Sequence, residues 1–162
     1  MKKLIALLMV LVTVLSLAAC NGTTDPSNGN TQDNPPVELD LQQIFTDMSA
    51  ATDETMTLID AERLLDLYGI EPDDCAEVYV YSYNSGMMAA EIWLIKASSA
   101  DALARLKALA ENRLKSLDEE SATYSPEMNK VVKKAQIICR GDYLAMICST
   151  EVDALATIFN NA

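Results

Sequence analysis

The sequence predicts an α+β fold: a four-stranded, mostly antiparallel sheet built from two β-hairpins, each followed by a helix, with the helices packed on one face. Three observations predict it. Two stretches of alternating side chains surround turn residues, at Asn84-Ser85-Gly86 and at Gly141-Asp142. Each is followed by a helical repeat opened by a hydroxyl residue with an aspartate three positions on, Ser98 with Asp101 and Thr150 with Asp153, the spacing of a capping box. A run of strands and helices in this order gives a sheet whose apolar face needs helices to cover it.

From Asp40, Leu41, Ile44, Phe45 and Met48 recur at i, i+3, i+4 and i+7, which places a first helix from there to about Ala51-Thr52. A second, short helix runs from Asp60 through Leu64, Leu65 and Leu67, stopped by Gly69 and closed off by Pro72. The first hairpin spans Ala76 to Tyr83 and Met87 to Lys96. A three-residue loop with Gly86 in the left-handed region sets Val78 opposite Ile92 and Val80 opposite Ala90, so that the apolar side chains share a face. Met88 and Leu94 join that face, and Tyr79, Tyr81, Tyr83, Glu91 and Trp93 occupy the other. The long helix after Ser98 carries Leu103, Leu106, Ala110, Leu114 and Leu117 on one side, carries charges on the other, and ends near Asp118-Glu119-Glu120. Tyr124-Ser125-Pro126 forms a turn, and Glu127 to Lys134 holds a helical turn with Val131 and Val132 inward. In the second hairpin, Gln136 to Arg140 and Tyr143 to Cys148 pair around a two-residue loop, with Cys139 opposite Leu144. The closing helix carries Val152, Leu155, Ile158 and Phe159.

Upstream of this domain, residues 40–162, the chain has a different character. Lys2 and Lys3 precede an unbroken apolar run from Leu4 to Val12, and Leu17-Ala18-Ala19-Cys20 follows before the polar Asn21-Gly22-Thr23-Thr24. A basic start, an apolar middle and small residues before a cut site describe a secretory signal over residues 1–19. The apolar stretch falls short of the ~20 residues of a membrane span. Leu17-Ala18-Ala19-Cys20 resembles the lipobox of bacterial lipoproteins. That resemblance implies that the Cys20 thiol receives diacylglycerol, becomes the mature N-terminus and holds the protein on the extracytoplasmic face of the cell membrane. Two acyl chains give lasting anchorage where one gives a marginal hold. Residues 20–39 are Asn, Gly, Thr, Ser, Asp and Pro with almost nothing to bury, a lipid-anchored disordered linker with a reach of ~20 to 30 Å.

Composition narrows the function. The net charge of the 162-residue chain is -12, and without Lys2 and Lys3 it is -14, which disfavours nucleic acid because phosphate binding requires Lys and Arg. There is no histidine; this excludes Ser-His-Asp and Cys-His sites and histidine-ligated zinc. With Cys20 lipidated, Cys75, Cys139 and Cys148 cannot all pair within one chain. The expectation is three buried, unpaired thiols acting as small hydrophobes, in preference to a bridge involving Cys75.

Tyr79, Tyr81, Tyr83 and Trp93, on one face in this register, form a candidate platform for a sugar ring or a peptide. Arg140-Gly141-Asp142 is read as turn chemistry first. Asp73-Asp74 and Asp118-Glu119-Glu120 lack the spacing of a calcium loop, and no carboxylate pair is nominated for hydrolysis. Tyr68-Gly69-Ile70, Glu91-Ile92-Trp93, Tyr124-Ser125-Pro126 and Gly141-Asp142-Tyr143-Leu144 together resemble a family of small lipobox-bearing proteins of Gram-positive, largely gut-dwelling bacteria, a domain of unknown function. The resemblance implies the location and the fold but no activity, cofactor or catalytic residue. The expectation is a non-catalytic envelope protein that binds another envelope protein, a peptide or a glycan and needs no cofactor or metal. Two alternatives stand beside it: a small carboxylate-dependent hydrolase acting on envelope material, and an accessory subunit without a ligand of its own.

Overall fold

The computed structural model describes residues 38–83 and 90–162. The signal, Cys20, most of the linker, and the Asn84-Ser85-Gly86 loop with Met88 lie outside the described residues.

Helix α1 (Leu41–Ala50) begins where the Asp40 side chain accepts a hydrogen bond from the Gln43 N–H at 2.9 Å, satisfying one of the orphan donors of the first turn. It buries Leu41, Ile44 and Met48. A three-residue strand, β1 (Met56–Leu58), follows; it is too short to leave a period in the sequence. A 3-10 turn (Ala61–Arg63) leads into helix α2 (Leu64–Tyr68), which ends on Gly69 at φ 71°, a left-handed cap that glycine adopts without steric cost. Asp60 precedes this segment but makes no capping bond.

Strands β2 (Cys75–Tyr83) and β3 (Glu91–Ala97) form the first hairpin. Helix α3 (Ala100–Tyr124) and helix α4 (Pro126–Val132) cross to the second hairpin, β4 (Gln136–Arg140) and β5 (Tyr143–Cys148), and helix α5 (Val152–Asn161) closes the chain. All five strands join one open antiparallel sheet in the order β1-β2-β3-β5-β4. The sheet thus has five strands where the hairpins alone predict four.

The helices do not share one face. Leu41, Met48, Leu155 and Phe159 of α1 and α5 pack on Tyr81, Ile92, Leu94, Tyr143, Ala145 and Ile147. Ala102, Leu106 and Ala110 of α3 pack on Val80, Trp93, Ile95, Leu144 and Met146. Helices therefore cover both faces, a correction to the expected arrangement. The physical reason lies in β3 and β5, where Ile92 to Ile95 and Tyr143 to Cys148 are apolar on both sides of the pleat and neither side can be left to water.

The second hairpin has the expected register, with Cys139 opposite Leu144 and Arg140 opposite Tyr143. Gly141, at φ 56°, supplies the left-handed turn residue. In the first hairpin the register differs. Val78 lies opposite Ile95, Val80 opposite Trp93 and Tyr81 opposite Ile92, so β3 is shifted by three residues from the pairing that a three-residue loop requires. An odd shift moves every β3 side chain to the other face. The connection between the paired Tyr83 and Ala90 is accordingly six residues long.

Two caps also move. Ser99 caps α3, accepting from the Ala102 N–H at 3.1 Å, while the Ser98 hydroxyl donates to the Asp73 carbonyl at 2.8 Å. Helix α3 continues through Asp118-Glu119-Glu120 to Tyr124, where Ser125 caps α4. Thr150 does not cap α5; its N–H and hydroxyl both donate to Glu54 at 3.1 Å.

Candidate functional site

The four rings expected to form one platform are divided by the register. Trp93 faces α3 and is fully buried, whereas Tyr79, Tyr81 and Tyr83 occupy the opposite face. Tyr81 is buried too: Phe45 of α1 stacks on it with centroids 3.3 Å apart and planes 4° from parallel. Tyr79 stacks against Tyr81 at 6.4 Å and is half-buried, as is Tyr83. Phe45 of α1 thus covers the face of Tyr81. These rings are core and edge of core, with no shared platform.

What the shift brings together instead is a polar node under α3. Trp93 and Glu91, two apart on β3, point to the same side, and the indole Nε1–H donates to Glu91 Oε1 at 2.7 Å. Arg113, one turn beyond the Ala110 contact on α3, reaches the same carboxylate with Nε at 3.1 and 3.2 Å and a terminal nitrogen at 2.8 Å. The Glu91 side chain is 2% exposed and that of Arg113 28%. The guanidinium lies 5.3 Å from the centre of the Tyr68 ring, which meets Trp93 edge-on at 5.3 Å. Burial, and then the Glu91 charge, push the Tyr68 phenol up. Cys148 sits opposite Glu91 on β5, and burial with that same charge pushes its thiol up to about 12. Both thiol and phenol are therefore protonated at neutral pH. Both Glu91 oxygens accept from fixed donors, an arrangement that holds a carboxylate in place.

The three thiols are unpaired, with Cys148 buried, Cys75 half-buried and Cys139 exposed. The exposure of Cys139 corrects the expectation of three buried cysteines and follows from its place on β4, the strand at the sheet's far edge. Among the described residues no group of three or more Cys, Asp or Glu could hold a metal ion, and no helix is long and apolar enough to cross a membrane. Asp74 is buried against Arg105, which donates through Nε at 3.0 Å. In Arg140-Gly141-Asp142, the Arg140 guanidinium is turned to the Phe159 and Ala162 carbonyls at the end of α5. Those bonds brace the end of α5 against β4.

One surface depression, of about 360 Å³, lies at the β1 edge and is lined by Thr57, Leu58, Asp60, Arg63, Ser82 and Tyr83, among others. Its size is that of small-ligand sites. Ser82 pairs with Glu91 across β2 and β3, so the depression backs onto the polar node. The described residues of this half are strongly acidic: residues 38–83 carry twelve Asp and Glu against the single Arg63, while residues 90–162 carry ten against nine Lys and Arg. The excess charge of the domain thus sits with α1, β1, α2 and β2.

A family described as a domain of unknown function, DUF4358, matches residues 49–149 of this chain. The chain belongs to the DUF4358 family. The match takes in the whole sheet, with α2, α3 and α4, and hence both the polar node and the depression. Most of α1 and all of α5, which cover the tyrosine face, fall outside the DUF4358 stretch. No curated protein and no solved structure matches the chain.

Proposed function

We propose that this protein is a lipoprotein of a Gram-positive cell, anchored through diacylglyceryl on Cys20 to the extracytoplasmic face of the membrane, where it serves the envelope as a non-catalytic binding or accessory protein. The observation that carries the reading is Leu17-Ala18-Ala19-Cys20 at the end of the apolar leader. The way the domain begins supports it. Glu38 and Leu39, the last two residues of the expected linker, are held by the domain: Glu38 accepts from Lys96 at 2.8 Å and from the Tyr143 hydroxyl at 3.0 Å, and that hydroxyl accepts from the Leu39 N–H at 3.2 Å. Lys96 of β3 and Tyr143 of β5 thus fix the start of the described domain. In the polar node the Glu91 carboxylate is taken up by Arg113 and Trp93, bonds that hold it within the fold.

Mass spectrometry of the protein recovered from membranes tests the anchor. The expected product begins at Cys20 and carries two acyl chains, and a Cys20→Ser variant leaves the membrane fraction or keeps its leader. An unacylated Cys20 in the wild-type product overturns the proposal.

A further inference from the structure

We infer that the β1 edge is a docking strand for an extended, basic segment of a partner protein, which adds to the sheet beside β1. The inference deepens the binding role proposed above and rests on it only for the setting.

The backbone is the first ground. The Ile59 N–H donates to the Val80 carbonyl at 2.8 Å, so Ile59 turns its backbone groups toward β2. Neighbouring residues alternate, and those of Leu58 point outward from the sheet. Among the described residues no strand pairs with them. β1 also covers β2 only from Tyr81 to Tyr83, which leaves the first six residues of β2, Cys75 to Val80, without a strand on that side, the Ile59 bond to Val80 apart. Natural sheets blunt such an edge with a very short strand, lysine, proline or a bulge, and β1 uses only the first of these. Residues 56–58 are Met, Thr and Leu.

The side chains are the second ground. Leu58 is 49% exposed and lines the depression at this edge with Asp60 and Arg63, while Leu65 and Leu67 of α2 are exposed at 43% and 47% elsewhere in the same acidic stretch. Asp60, Glu62 and Asp66 follow Leu58 in the chain, are exposed, and form no ion pair among the described residues. Added strands gain affinity from main-chain hydrogen bonds and specificity from alternate side chains. An apolar and acidic border matches a partner strand that alternates apolar with Lys or Arg, and the net charge of -11 over residues 38–83 would draw it in.

The test measures fluorescence anisotropy of a capped peptide of alternating lysine and valine with the full chain in zwitterionic detergent. Saturable binding is expected, weakening about tenfold as salt rises and screens the edge charges, with a Glu-Val peptide of equal length failing to bind. Leu58→Pro, which deletes one outward N–H that β2 does not use, should abolish binding. Asp60→Asn with Glu62→Gln and Asp66→Asn should weaken it about tenfold. The same neutralisation at Glu119, Glu120 and Glu127 should change nothing. Hydrogen exchange at the Leu58 amide, slowed by the peptide in the wild type, reports docking even if the proline variant is poorly folded. No binding, equal binding of both peptides, or an unprotected Leu58 amide overturns the inference. None of these outcomes depends on whether Cys20 is acylated, so the anchor and the docking edge fail separately.

Discussion

The two hairpins of this sheet are held in register by different forces. The β4–β5 hairpin is set by its turn: two residues, Gly141 at φ 56° and Asp142, leave a single pairing open to the flanking strands. The β2–β3 hairpin is set by its core. Its six-residue connection permits several registers, and the one adopted is the one that buries Trp93 beside Val80 and gives its indole N–H the Glu91 carboxylate. The difference teaches that a tight turn encodes register locally, whereas a long one hands the decision to side chains far along the chain, here Arg113 on α3.

This contrast can be broken most severely at the core of the first hairpin. Trp93→Ala removes a fully buried indole and should cost about 3 to 5 kcal/mol, read by urea denaturation. Arg113→Ala leaves Glu91 buried and uncompensated and should cost roughly 3 kcal/mol or more. The double change Arg113→Ala with Glu91→Gln should recover part of that loss, because it removes the orphaned charge. A loss from Arg113→Ala no larger than that of an exposed ion pair would show that the node does not hold the register.

At the second hairpin the effect should be smaller. Gly141→Ala forces a side chain into the left-handed region, where no atom lies within 4 Å of the new Cβ, so the cost is conformational, about 1 to 2 kcal/mol. If it equals the loss at Trp93, turn and core do not divide as described. Thiol labelling sharpens the same contrast without a mutation. At pH 8 Cys139 on the exposed edge should react first. Cys75, pushed up to about 11 by burial, and Cys148, pushed up to about 12, should react only as the protein opens. Comparable labelling of Cys148 and Cys139 in the folded protein would place the core of the node in contact with solvent.

The smallest effect belongs to the clamp at the head of the domain. Hydrogen bonds from Lys96 and then Tyr143 hold the Glu38 carboxyl below its ordinary value of 4.5. A group lowered in the folded state stabilises above its unfolded pKa and loses that contribution as pH falls through the folded one. The stability difference between wild type and Glu38→Gln should therefore be present at neutral pH and vanish in acid. A difference independent of pH would remove the charge from the account.

The sequence by itself determined the mixed fold, helices α1 and α3, the left-handed stop at Gly69 and the register of the second hairpin. Each of these rests on contacts within a few residues, such as a cap, a turn or a helical repeat. Glu91 and Trp93 were also legible as a same-side pair two residues apart, the kind a buried indole N–H requires. Only the tertiary structure decided which side that was. Ile92 and Leu94 on one side of β3 match Trp93 and Ile95 on the other in hydrophobicity, so alternation carried no preference. The strand β1, at three residues, had no period to display and took its place by pairing with Tyr81 to Tyr83. The candidate edge was hidden for the same reason: an unpaired strand border exists only once the strands are in order, and no local pattern records it.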